Sequence, residues 1–114
     1  MSVCIFCRIA AGEIESKVAY QDESVVVFHD ANPVTPVHVL IVPREHIENI
    51  MALQEEHSKL MGHMLLITAK VARELGVAET GFRLVTNTNR DAGQFVPHLH
   101  WHLLGGRALG WPPG

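Results

Sequence analysis

The segment His98-Leu99-His100-Trp101-His102-Leu103-Leu104-Gly105-Gly106 decides how this chain is read. Polar and apolar residues alternate along it until two glycines end it. Strand side chains point to opposite faces in turn, so His98, His100 and His102 share one face and Leu99, Trp101 and Leu103 the other. One face of this strand belongs to a core, and the opposite face carries three imidazoles.

Outward from that strand, Phe82 to Thr86 also has strand character, and Asn87 to Gln94 is a polar loop with Gly93. Upstream, Leu60, Met64, Ile67, Val71 and Leu75 recur at steps of three and four, which predicts an amphipathic helix over Gln54 to Leu75 with Gly76 as its stop. Val37 to Val42 is rich in β-branched residues and reads as a central strand ending at Pro43. Two prolines and an Asn make Asp30 to Pro36 a loop. Lys17 to Gln21 and Ser24 to His29 read as a hairpin turning at Asp22-Glu23, and Cys4 to Ile9 as a helical turn ended near Gly12. Strands, one long helix and strands again predict an α+β domain with a mainly antiparallel sheet.

At 114 residues the chain has room for one domain, residues 1–114. A composition of 47% hydrophobic and 18% charged residues excludes a disordered tail. Nine Lys+Arg against twelve Asp+Glu give a net charge of -3, with the cations scattered singly, so the electrostatic footprint of a nucleic-acid binder is missing. Apolar runs of about five to seven residues fall far short of the ~20 that cross a bilayer. No secretory signal pattern opens the chain. Neither nucleic acid nor membrane is expected as a partner, and the expected location is the cytoplasm.

Histidine is the compositional anomaly, with eight residues, about three times ordinary usage. Three readings fit the histidine face. It is a solvated polar face, or part of a metal site, or a nucleophile with flanking groups that set its tautomer and handle protons. Against a single ion held by all three stands the rise of ~3.3 Å per residue, which separates His98 and His102 by about 13 Å along the backbone. Cys4 and Cys7 form a Cys-x-x-Cys pair suited to half of a metal site or to redox chemistry. A thioredoxin-like reading needs a strand before that pair, and none precedes it.

With these residues placed, the chain resembles the histidine triad (HIT) superfamily. The strand matches its His-x-His-x-His-x-x motif, and Phe28-His29-Asp30, Pro36-Val37-His38, Pro43-Arg44-Glu45-His46-Ile47, Gly93-Gln94, Leu104-Gly105-Gly106-Arg107 and Trp111-Pro112-Pro113-Gly114 resemble its Hint branch. The resemblance implies the HIT fold, a mainly antiparallel five-stranded sheet with one long helix and a short N-terminal helix. It also implies a purine nucleoside phosphoramidase, cleaving the P–N bond of adenosine or guanosine monophosphoramidates through a nucleotidyl-histidine.

By position, the resemblance makes His100 the nucleophile, His102 the phosphate support, and His38 and His98 their neighbours in the catalytic cluster. It assigns Phe6, Ile9 and Phe28 to the purine, Asp30 to the ribose, and Asn87, Gly93, Gln94 and the Val96 N–H to the phosphate side, where backbone N–H groups free to face an anion are expected. A structural zinc on Cys4, Cys7, His46 and His98 follows from the same likeness, with no organic cofactor. So does a homodimer paired through the long helix and a strand, in which Met61, Met64, Leu65 and Leu66 widen the helix's apolar face and Trp111 reaches the partner's site. Two positions depart from the pattern: Phe95 stands where the family commonly has Ser, and Ala31 replaces a bulkier aliphatic residue. The rival functions are a dinucleoside polyphosphate hydrolase of the same superfamily and a non-catalytic nucleotide-binding module.

Overall fold

The computed structural model describes residues 3–114. Five strands, β1 (Val18–Gln21), β2 (Val25–His29), β3 (Val37–Pro43), β4 (Phe82–Val85) and β5 (Trp101–Gly105), form one antiparallel sheet in the order β1-β2-β3-β5-β4. The β1–β2 turn is closed by Asp22, whose Oδ1 accepts from the N–H groups of Ser24 and Val25 at 2.9 and 2.8 Å. His29 leads into the proline-bearing loop, and the chain returns as β3, whose Val39, Leu40 and Ile41 pair on both sides in the centre of the sheet.

Helix α2 (Ser58–Glu74) lays Met64, Ile67, Val71 and Ala72 on one face of the sheet against Val25, Val27, Val39, Ile41, Leu99, Trp101 and Leu103. Each fully buried aliphatic side chain here contributes about 1.5–3 kcal/mol of transfer free energy, so this layer dominates the fold. The opposite face is covered only in part, by the six-residue helix α1 (Ile5–Ala10), which packs Phe6 on Val26, Phe28, Leu40 and Val42. The described residues contain no helix long and apolar enough to cross a membrane.

The observed elements depart from the sequence reading in three places. Helix α2 begins at Ser58, because Glu55–His57 forms a 3-10 turn in which the Gln54 N–H donates to His57 Nδ1 at 2.9 Å. The polar loop contains a helical turn, α3 (Asn89–Ala92). The last strand begins at Trp101, since the residues before it bond elsewhere: the His98 N–H donates to Val96 O at 2.8 Å and the Leu99 N–H to Ile47 O at 2.6 Å. Alternation nevertheless persists through this extended stretch, with Leu99 in the α2 core and the His98 and His100 rings against Phe6.

Candidate active site and metal centre

On the α1 side of the sheet, register sets Phe28, Leu40 and His102 side by side on β2, β3 and β5. An apolar pocket therefore gives way to imidazoles along one row. Phe6 bridges the two, its ring 5.6 Å from that of Phe28 and 4.9 Å from that of His100, both edge-on. The residues expected to hold a base and a ribose come together here: Phe6, Ile9, Phe28 and Asp30 line one cavity of about 590 Å³, with Leu40 and Ala31. That volume falls in the range of small-molecule sites.

The hydrogen bonds assign the tautomers of the histidine cluster. His38 Nδ1 accepts from the Val34 N–H at 3.1 Å, so its proton resides on Nε2, which donates to His102 Nδ1 at 2.9 Å with Asp30 Oδ2 at 3.4 Å. His102, accepting at Nδ1, keeps its own proton on Nε2 and is a donor there. His100 Nδ1 donates to the carbonyl of His98 at 2.7 Å, which leaves the Nε2 lone pair of His100 unprotonated. The His100 carbonyl is held in turn by Thr86 Oγ1 at 2.9 Å. Burial pushes His38 and His100 below the usual histidine value, with the Asp30 charge acting the other way on both. Burial, reinforced by the neighbouring His100 and His38, pushes His102 down to about 4. At neutral pH the site thus presents a neutral imidazole lone pair beside an N–H donor, the pairing that covalent catalysis on an anionic group requires.

Behind His100 lies a second cluster. The ligand atoms of Cys4, Cys7, His46 and His98 all lie within 4.8 Å of one another. Nδ1 of His98 is 3.3 Å from Cys4 Sγ and 3.5 Å from Cys7 Sγ, and Cys7 Sγ is 3.4 Å from His46 Nδ1. A tetrahedral zinc with Zn–S of about 2.3 Å and Zn–N of about 2.0–2.1 Å has S···N edges of about 3.6 Å, so the donor set fits that ion in type, number and spacing. His98 Nε2 donates to Pro43 O at 2.8 Å, which turns the Nδ1 lone pair toward the sulfurs.

The phosphate-side loop differs from expectation. The Gly93 and Gln94 N–H groups are not free to face an anion: they donate to Arg90 O and Asn89 O at 3.0 and 3.1 Å and cap α3, with Gly93 in the left-handed region at φ 79°. The Gln94 side chain is a pin. Its Nε2 donates to Glu48 O and Val96 O, and its Oε1 accepts from the Asn89 N–H and from Asn49 Nδ2. Asn87 is half-buried in the loop leading from β4 to α3, and Val96 packs against the apolar cluster of Phe6, Val26, Phe28, Leu40 and Val42. Trp111 is 81% exposed. Met64 belongs to the core and Met61 packs against it, so of the four residues expected to widen the helix face only Leu65 and Leu66 are exposed, by 54% and 71%.

A HIT domain model matches residues 11–109. The chain belongs to the HIT domain family. It is 46% identical over 106 residues to the purine nucleoside phosphoramidase of Escherichia coli strain K12, covering 93% of this chain and 89% of that one. The crystal structure of a HIT family hydrolase from Legionella pneumophila superposes with a TM-score of 0.96 at 44% identity, over 97% of this chain and 99% of that one. A histidine triad protein from Clostridium difficile gives 0.93 at 41%, over 96% of each. With these relatives, the HIT chain described here is a hydrolase.

Several groups that organise the site carry no sequence signal. The Val34 N–H, Pro43 O and His98 O set the three tautomers, but each is a backbone group whose partner is known only once the strands pair. Buried Asn49 accepts from the Met51 N–H through Oδ1 and donates through Nδ2 to Asn89 and Gln94, joining two loops that are 40 residues apart. An isolated Asn before an apolar residue gives no hint of that.

Proposed function

We propose that this hydrolase acts on purine nucleoside monophosphoramidates, such as AMP joined to a lysine amine, and on aminoacyl adenylates, in which a P–O bond to the acyl group takes the place of the P–N bond, and that His100 is its nucleophile. The observation that carries the reading is the His100 tautomer: with Nδ1–H spent on His98 O, Nε2 keeps a lone pair, on a ring that packs edge-on against Phe6 of the pocket wall. In the proposed reaction Nε2 attacks the α-phosphorus, the P–N bond breaks, and the amine departs with a proton from solvent. Water then attacks the phosphorus and the bond to His100 breaks, releasing the nucleoside monophosphate. His102 donates its Nε2–H to a phosphate oxygen in both steps, and His38 keeps that proton on Nε2 by donating to Nδ1. Asp30, which lines the pocket and whose Oδ1 accepts from the Asn32 N–H at 2.8 Å, would receive the ribose hydroxyls. The identity to a named phosphoramidase supports the same substrate class.

Two accompanying assignments belong to the proposal. Cys4, Cys7, His46 and His98 would hold a zinc ion whose contribution is to crosslink α1 to the segment before β5. A homodimer is supported by β4 standing at the sheet's edge with Phe82 exposed, and by Leu65 and Leu66 outside the core, with Trp111 offered to the partner. Light scattering is expected to give a dimer mass that Leu66→Glu reduces to the monomer.

Turnover of an adenosine phosphoramidate by wild type and His100→Ala tests the reading. The variant is expected to lose at least about 99% of turnover while still binding AMP; retention of more than about a tenth, ~1.4 kcal/mol of barrier, rejects His100. Faster turnover of a dinucleoside polyphosphate than of the phosphoramidate would favour the rival substrate class.

A further inference from the structure

We propose that the Cys4–Cys7–His46–His98 cluster positions the nucleotide pocket through Phe6, so that metal binding at the cluster and nucleotide binding in the pocket favour each other. The inference rests on the nucleotide reading above.

Helix α1 is six residues long, too short to be stable alone, so its place depends on what ties it down. Its C-terminal end is tied by Arg44, whose Nη1 donates to Ala10 O while Nε donates to Asp22 O at 2.7 Å. At the N-terminal end Cys4 and Cys7 meet His98 and His46. Phe6 stands between the two cysteines in the sequence and is the buried residue of the helix. Its ring touches those of Phe28, His98 and His100 and forms part of the pocket wall.

A motion that parts the sulfurs from the two imidazoles therefore also carries Phe6 off His100 and opens the pocket. A second path runs through His98 itself. Its Nδ1 faces the sulfurs, its Nε2 is on Pro43 O, and its carbonyl accepts the His100 Nδ1–H, so a shift of His98 displaces the acceptor that sets the nucleophile's tautomer, an effect on the nucleophile rather than on AMP affinity. Thiol–imidazole hydrogen bonds hold this end of α1 weakly, whereas metal bonds would hold it firmly and would require both thiols to deprotonate. Cys4 and Cys7 act here as positioning residues, and Phe6 is the link.

Calorimetric titration of AMP into zinc-loaded and chelator-stripped wild type tests this, paired with competition titration of zinc with and without saturating AMP. Stripping is expected to raise the AMP Kd at least about tenfold. Saturating AMP is expected to tighten zinc binding by the same factor, because coupling between two sites is reciprocal. A metal without influence on the pocket would show neither effect in the folded protein. Phe6→Leu should still take up zinc but lose most of the coupling, bringing the two factors to within about twofold of unity. The Phe6→Leu comparison also decides the matter if stripped wild type unfolds. An AMP Kd indifferent to zinc, no zinc uptake at all, or coupling undiminished in Phe6→Leu would overturn the inference while leaving the nucleotide reading standing. Zinc-loaded wild type that binds no AMP would overturn both.

Discussion

The two faces of one sheet are built by different rules. Along β5, Trp101 and Leu103 enter a layer closed by a 17-residue helix, while His102, between them, points toward a six-residue helix and an open pocket. The first face is stabilised mainly by shape and volume, because its buried side chains are nearly all apolar, with Thr68 Oγ1 satisfied by Met64 O, and apolar residues of similar volume are tolerated there. The second combines a small apolar cluster with imidazoles whose hydrogen bonds must all be satisfied. What the pair teaches is that stability and chemistry are assigned to alternate residues of the same strands.

Neighbours on β5 give the largest contrast. Leu103→Ala, which empties a fully buried site in the α2 layer, is expected to cost about 3 kcal/mol, within the usual 2–5. His102→Ala should change stability at pH 7 by no more than about 1 kcal/mol, since its ring is half-buried and neutral and the His38 N–H that it releases still has Asp30 Oδ2 at 3.4 Å. Urea denaturation of both variants checks the contrast, and equal losses would remove it.

A smaller effect is expected from pH. His102 has a folded value of about 4 against an ordinary 6.5, so between those limits the unfolded chain binds a proton that the folded chain does not. Stability should accordingly be intact above about pH 6.5 and fall as pH drops toward 4, and His38, lowered by burial, adds in the same direction. After allowance for solvent screening the loss from His102 is about 1–2 kcal/mol. His102→Ala should flatten this part of the stability curve measured by denaturation from pH 7 to 4.5. On the other face Asp22 resists acid further. Burial works to raise its carboxyl, but hydrogen bonds from the Ser24 N–H, His63, Tyr20 and the Val25 N–H hold it far below the usual carboxylate range, so its contribution persists until stronger acid.

The smallest effect on stability belongs to Phe95, 94% exposed on the loop before the histidines. Phe95→Ser should shift stability by no more than about 0.5 kcal/mol. If the missing hydroxyl limits catalysis, the change will appear as a higher kcat with the melting temperature unchanged, and a stability loss above 1 kcal/mol would show instead that Phe95 packs in solution.

The α2 face was legible in the sequence because periods of two and 3.6 register directly which residues are buried, as with Ile41, Leu103, Ile67 and Val71. The set of histidines and cysteines was legible as well, through alternation and likeness to a known motif. What escaped was where backbone groups find partners. The start of β5 at Trp101 depends on Leu99 bonding to Ile47 rather than to β3, and the Gly93 and Gln94 N–H groups are consumed by a helical turn too short to show a period. Gln94 reads as a polar loop residue in either case; only its four side-chain partners reveal a pin.

In the proposed reaction His100 Nε2 forms a covalent bond to the nucleotide's phosphorus. Rapid mixing of the protein with an adenosine phosphoramidate, acid quench and intact-mass analysis with peptide mapping tests it most directly. One added adenylyl group is expected, located on His100, rising and decaying with turnover and absent from His100→Ala. Turnover that proceeds with no adduct at any quench time, or an adduct that survives His100→Ala, would contradict it.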